Sequence, residues 1–151
     1  MAPVSCFDVA KYILEKNGRM TAMKLQKLVY YCQAWSLVWD EKPLFKEKIE
    51  AWAYGPVVRE LYEYHRGAFE VVRLRKGDTS KLSDEQRETI DAVLRDYGKR
   101  TAQWLSDLSH MEDPWNDART GLPEGASCEN EITLVSMHEY YSSLPADYLL
   151  S

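Results

Sequence analysis

A chain of 151 residues with 45% hydrophobic and 28% charged side chains is long enough for one globular domain that buries about two thirds of its unfolded surface; this composition fits neither disorder nor a membrane protein. The net charge of −5 and the pI near 5.3 disfavour nucleic acid as a partner, because a phosphate footprint is built mainly from Lys and Arg. No apolar run is long enough for a bilayer, the first residues lack a secretory pattern, and Cys6, Cys32 and Cys128 are too scattered for a disulfide framework or zinc cluster, so a cytoplasmic protein is expected.

Ser5 is placed to N-cap a first helix, with Asp8 three residues on, carrying Cys6, Val9, Ala10, Ile13 and Leu14 on one face until Asn17-Gly18 ends it. Thr21 caps a second helix that runs to Trp39. Its stripe of Leu25, Leu28, Val29, Cys32, Trp35, Ser36 and Trp39 is widened by Tyr31, Ala34 and Val38, as in a central helix. Lys24 and Lys27 sit in its first turns, where positive charge opposes the macrodipole. That points to an acidic partner surface there, or to lysine stems covering Tyr30 or Tyr31. After the break at Asp40-Glu41-Lys42-Pro43, the segment from Lys46 to Tyr54 reads as a short edge strand.

Gly55-Pro56 specifies a sharp corner: Gly55 tolerates positive φ, while Pro56 fixes φ near −65° and donates no N–H. Pro56 is expected near the first position of a third helix, with Val57, Val58, Leu61, Tyr62 and His65 inward and Arg66-Gly67 at its end. Phe69 to Leu74 is expected to pair as a strand with Ile49 to Ala53. Ser83 and Gln86 form a capping box for a fourth helix bearing Ile90, Val93, Leu94 and Tyr97, which Gly98 stops. Thr101 caps a fifth helix ending at Ser109-His110, and Asp113-Pro114 marks a boundary at which Trp115 opens a new element or structured loop. A last helix spans Ile132 to Tyr141. The expected fold is mainly α: a single compact domain over residues 1–151, core about 5–141, with about six helices, a minor two-stranded β element and a tail from Ser142.

Chemistry is sparse along this chain. His110 beside Ser109, with Glu112 and Asp113 nearby, is the best acid/base candidate, but neighbours on a helix point about 100° apart and do not face each other as nucleophile and base. His65, His110 and His138 lack metal-ligand spacing, and the seven glycines form no phosphate-binding loop, so no metal or cofactor is expected. Arg66, Arg73, Arg75 and Lys76 form a local basic cluster that would serve a DNA-binding regulator. Residues 1–76 hold 13 Lys/Arg against 9 Asp/Glu, and residues 77–151 hold 6 against 15, an asymmetry that can steer a charged partner.

Three blocks occur together in order: Thr21-x-x-Lys24-Leu25-Gln26-Lys27-Leu28-x-Tyr30-Tyr31, Glu50-Ala51-Trp52-x-Tyr54-Gly55-Pro56-Val57-Val58-x-x-Leu61-Tyr62, and Leu108-Ser109-His110-x-x-x-Pro114-Trp115-x-x-Ala118-Arg119. With them the chain, from about Ser5 to Tyr141, resembles the Panacea domain family of SocA-like antitoxins, also known as phage-associated GepA-like proteins. The resemblance implies a helical antitoxin of a bacterial or prophage toxin–antitoxin module that binds a cognate toxin protein and has no catalytic activity. A homodimer and a protease that receives the toxin stand as further partners. The matched positions read as fold determinants, with Leu25, Leu28, Trp52 and Leu61 in the core and Gly55-Pro56 at the corner, joined by His110 and Pro114. Interface anchors are usually Trp, Tyr and Arg, which selects Tyr54, Tyr62, Trp115 and Arg119 as partner-binding residues with Lys24 and Lys27 as rim charges. Trp115 reads equally as a core plug beside Pro114. A regulator of its own operon, or an enzyme centred on His110, are the alternatives.

Overall fold

A computed structural model describes residues 3–123 and 125–145 of the chain. Helix α1 (Cys6–Asn17) starts at a reciprocal capping box, in which the Ser5 hydroxyl accepts from the Asp8 N–H and the Asp8 carboxylate accepts from the Ser5 N–H. It stops at Gly18, whose φ of 83° suits a residue without Cβ. Strand β1 (Met20–Thr21) leads into α2 (Ala22–Trp39), with the Thr21 hydroxyl as N-cap. Helix α2 buries side chains all round, Leu25, Leu28, Val29, Tyr30, Tyr31, Cys32 and Ala34 among them. It packs against α1, α4 (Asp84–Tyr97), α5 (Ala102–His110) and α7 (Leu134–Ser142), which makes it the axis of the core.

The helix starts expected at Ser83 and Thr101 are present, Ser83 with Gln86 in a second capping box. Gly98 does end α4, with φ of −64° rather than in the left-handed region; a Cβ there would sit 2.5 Å from the Leu94 carbonyl oxygen and 2.8 Å from Asn17 Oδ1. Among the described residues there are seven helices, because Pro114 sits in the first turn of a short additional one, α6 (Asp113–Ala118). The last helix starts later than Ile132, at Leu134, since Thr133 caps it and Ile132 is taken into a strand.

The fold is mainly α with minor β, and the β component differs in detail from expectation. Gly55–Val58 is not the start of a helix; it is strand β3, antiparallel to β2 (Ile49–Trp52), with Trp52 opposite Gly55 and Ala53-Tyr54 as the two-residue turn. Helix α3 (Arg59–His65) begins only after it. Pro56 fits because its missing N–H lies on the side facing away from β2, where no ladder bond is lost. The outer neighbour of β2 is β5 (Glu131–Ile132), giving the order β3-β2-β5. Nor does the Phe69 to Leu74 segment join this sheet: its strand β4 (Glu70–Val71) pairs with β1 in a separate ribbon. Short pairings of this kind are chosen by tertiary packing rather than by local propensity.

Among the described residues, no helix is long and apolar enough to cross a membrane.

Candidate functional site

The β2–β3 hairpin is enclosed by side chains that donate to its main chain. In a hairpin with a two-residue turn, alternate residues point their N–H and C=O away from the partner strand, and on an edge strand these must find other partners. Here α2 supplies them on the β3 side. Gln26 Oε1 accepts from the Val58 N–H at 2.9 Å and its amide nitrogen donates to the Val58 carbonyl at 3.3 Å, while Lys27 Nζ donates to the Pro56 carbonyl at 3.3 Å. On the β2 side Arg119 Nη1 donates to the Ala51 carbonyl at 2.8 Å and Trp115 Nε1 to the Trp52 carbonyl at 2.8 Å. At the turn, Ser106 Oγ donates to the Tyr54 carbonyl at 2.9 Å. Five carbonyls of the hairpin therefore each accept from a separate side chain, drawn from α2, α5, α6 and the residue after α6.

Two of those donors are basic side chains held in the interior. Lys27 is 1% exposed, and burial pulls its pKa from 10.5 down to about 7. Its stem runs against Gly55: a Cβ built there would fall 2.5 Å from Lys27 Cε, and Gly55 also holds φ at 119°. Gly55 is thus required twice, once for the backbone and once for space. Arg119, 5% exposed, adds a bond from Nη2 to the Ala126 carbonyl at 2.6 Å and lies over the Trp115 ring at 4.8 Å.

Lys27, Trp115 and Arg119 are accordingly not surface contacts. The sequence suggests Lys27 as a rim charge, Arg119 as a partner anchor and Trp115 as either an anchor or a core plug; all three donate to hairpin carbonyls in the interior, and Trp115, only 6% exposed, is the plug. What little of Trp115 and Arg119 reaches the surface lines a cleft of about 370 Å³ with His110, Asn116 and Leu122. Trp52, expected in the core, is half-buried instead; its indole N–H donates to Glu50 at 2.8 Å, and Arg59 lies over its ring at 5.5 Å. Leu25, Leu28 and Leu61 are core residues, each fully buried.

The remaining candidates are reachable. Tyr54, at the turn, is 73% exposed. Tyr62 is half-buried, edge-on to Trp52 at 4.8 Å, and Lys24 is half-buried in the first turn of α2. Arg59 links Glu50 to Glu129 beside Trp52, which holds the hairpin flank to the loop before β5.

Ser109 and His110 are turned apart. The buried Ser109 hydroxyl donates to the Ser106 carbonyl at 2.8 Å, and the His110 ring stacks on Trp115 at 4.1 Å with 21° between planes. Glu112, whose sequence position placed it with His110, is buried elsewhere: its Oε1 accepts from Tyr31 and Tyr141, both at 2.7 Å. Because Tyr141 spends its proton on Glu112, Tyr30 is the donor in the 2.9 Å bond between Tyr30 and Tyr141. Tyr97 stacks on Tyr31 at 4.3 Å and accepts from the Trp35 indole at 2.8 Å. Burial raises the pKa of all four phenols well above the ordinary range, so they keep their protons.

No local pattern assigns Gln26, Ser106 or Glu112 to these bonds, although a glutamine on the apolar side of a central helix and a carboxylate beside a proline boundary are visible anomalies. A paired carbonyl several dozen residues away is not.

No curated protein and no solved structure matches this chain. The family model described as antitoxin SocA-like, Panacea domain, matches residues 25–116, which include the hairpin, Gln26, Lys27, Ser106 and Trp115. Since that match covers more than half of the chain, the protein belongs to the SocA-like Panacea domain family.

Proposed function

We propose that the protein is the antitoxin of a bacterial or prophage toxin–antitoxin module, acting in the cytoplasm by stoichiometric binding of a toxin rather than by catalysis. The family supports an antitoxin role with a toxin partner. The observation that carries the binding mode is the hairpin turn, where Tyr54 stands 73% exposed on a backbone held by interior donors on both sides. An exposed tyrosine on a pre-ordered turn loses little conformational entropy on binding, the condition under which an aromatic becomes an anchor. Tyr62 and Lys24 are the further contact candidates, and a homodimer or a protease that receives the bound toxin fits the same reading.

The test is co-expression with the product of the adjacent gene. Toxicity of that product alone and rescue by this protein are expected, with Tyr54→Ala reducing rescue and complex formation. A neighbour that is harmless alone, or that stays toxic in the presence of this protein, removes the antitoxin reading.

A second reading, a regulator that binds its own operator, is favoured only by the exposed Arg66, Arg73, Arg75 and Lys76. A mobility shift of upstream duplex DNA that is lost on replacing Arg73 and Arg75 would support it.

A further inference from the structure

The β1–β4 ribbon carries an exposed apolar and cationic surface that nothing in the hairpin site uses. Its register sets Met20 opposite Val71 and Thr21 opposite Glu70, and the Ala22 N–H donates to the Phe69 carbonyl at 2.8 Å. Met20 and Val71 turn inward and are buried, while Phe69 is left 81% exposed, Val72 61% and Met23 40%. One such residue would be ordinary on a surface, but Phe69 and Val72 flank β4 directly and Met23 lies two residues beyond β1, so three large exposed apolar side chains bracket one four-residue pairing.

Phe69 stands between Ala68 and Glu70, but cations adjoin the other two in the chain, since Lys24 follows Met23 and Arg73 follows Val72; a third, Arg19, lies one residue before β1. None of these three has a carboxylate among the described residues within 4.0 Å. Other cations are engaged, since Arg66 pairs with Glu63, Arg59 with Glu50 and Glu129, and Lys76 lies over the Phe7 ring at 4.3 Å. Glu70 on the ribbon and Glu15, which shares a cleft of about 280 Å³ with Val72 and Arg73, are the nearest acids in sequence and cleft. The local balance is positive on a chain of net charge −5.

We propose that the β1–β4 ribbon is a second contact face, which takes an acidic segment of the protein partner with Phe69, Val72 and Met23 against its apolar side chains and Arg19, Lys24 and Arg73 against its carboxylates. The proposal rests on the toxin-binding reading. A protein segment fits better than duplex DNA because the apolar side chains interrupt the cations, where a phosphate backbone would need continuous positive charge.

The experiment measures binding of the purified adjacent-gene product to wild-type protein and to Phe69→Ser, the Arg19→Glu/Arg73→Glu pair and Tyr54→Ala, at about 50 and about 300 mM NaCl. Unfolding midpoints show that each variant is folded. Phe69→Ser is expected to weaken binding roughly thirtyfold, and the charge reversal to slow association roughly tenfold at low salt with much less effect at high salt. If wild type binds and both ribbon variants match it, this face is not the contact, and the antitoxin reading survives alone. No binding by wild type overturns that reading and this inference with it. Ribbon variants that alter only self-association in sedimentation, or only a shift of upstream duplex DNA, reassign the face to a second copy or to nucleic acid and equally overturn the proposal.

Discussion

The two small sheets of this protein solve the problem of exposed strand edges in opposite ways. The three-stranded sheet ends at β3, and α2 covers that edge with a glutamine and a lysine that act in place of a fourth strand. The β1–β4 ribbon has only two residue pairs and keeps large apolar side chains outside. The first sheet uses buried polar groups to hold one geometry, because a buried donor or acceptor left without its partner costs about 1 to 3 kcal/mol. The second spends little on its own position and leaves surface free for contact.

That contrast predicts where substitutions act. Arg119→Ala is expected to be the most damaging change, at about 3 kcal/mol in urea unfolding, because it strips the donor from the Ala51 and Ala126 carbonyls and opens a void beside Trp115. A loss under about 1 kcal/mol would mean that water replaces the guanidinium and the clamp is loose.

Lys27 makes stability depend on pH. With its pKa near 7 in the folded chain against 10.5 when unfolded, only the unfolded state holds the proton between these values, so stability rises as pH increases above about 7. Above about pH 9 the buried Cys6 and Cys32 thiols act in the other direction, as burial raises their pKa and the unfolded chain releases those protons first. The gain from pH 7 to 9 is at most roughly 2.7 kcal/mol, and Lys27→Met should abolish it while leaving stability at pH 6 equal or higher. Unfolding curves across that range decide the point.

Gly55→Ala should cost about 2 kcal/mol, because an alanine must hold φ near 119° and displace the Lys27 stem. In the double variant with Lys27→Met the steric part shrinks and the backbone part stays, so the two effects will not add.

His65 contributes a smaller effect in acid. The Val58 N–H fixes Gln26 Oε1, so the Gln26 amide nitrogen faces His65 Nε2 at 2.9 Å and that ring nitrogen must accept, which leaves the proton on Nδ1. Protonation would set two donors against each other, and burial already lowers the His65 pKa from 6.5. The unfolded chain therefore gains a proton first as pH falls below about 6.5, and wild type should lose about 1 kcal/mol by pH 5 relative to His65→Leu. Equal pH profiles for the two proteins would show that the β3 edge tolerates a charged histidine.

Least affected in stability should be Phe69→Ser, within about 0.5 kcal/mol of wild type, since an exposed side chain gives up little on truncation. A loss above about 2 kcal/mol would place the ribbon with the clamped sheet rather than opposite it.

Much of the helical frame was legible in the sequence. Ser5, Thr21, Ser83 and Thr101 each cap the helix they precede, because a cap is a bond between neighbours three residues apart. The apolar stripe from Leu25 to Trp39, widened by Tyr31, Ala34 and Val38, likewise marks a central helix. The candidate site was legible only in part. Residue type selects Tyr54, which is exposed, and Arg119, which is interior, and it leaves Trp115 open between anchor and core plug, of which its burial fits the plug. Residue type states what a side chain can donate, but not whether a carbonyl or a solvent surface lies opposite.

By itself, then, the sequence determined the helix starts, the apolar axis of α2, the positive φ at Gly55 and the family blocks, all of which depend on residues close together in the chain or on their order. Only the tertiary structure decided that Pro56 lies in a strand, that Lys27 and Arg119 hold the two sides of one hairpin, and that Phe69 remains outside. Those outcomes depend on hydrogen bonds and burial between residues 29 and 68 positions apart, which no local pattern encodes.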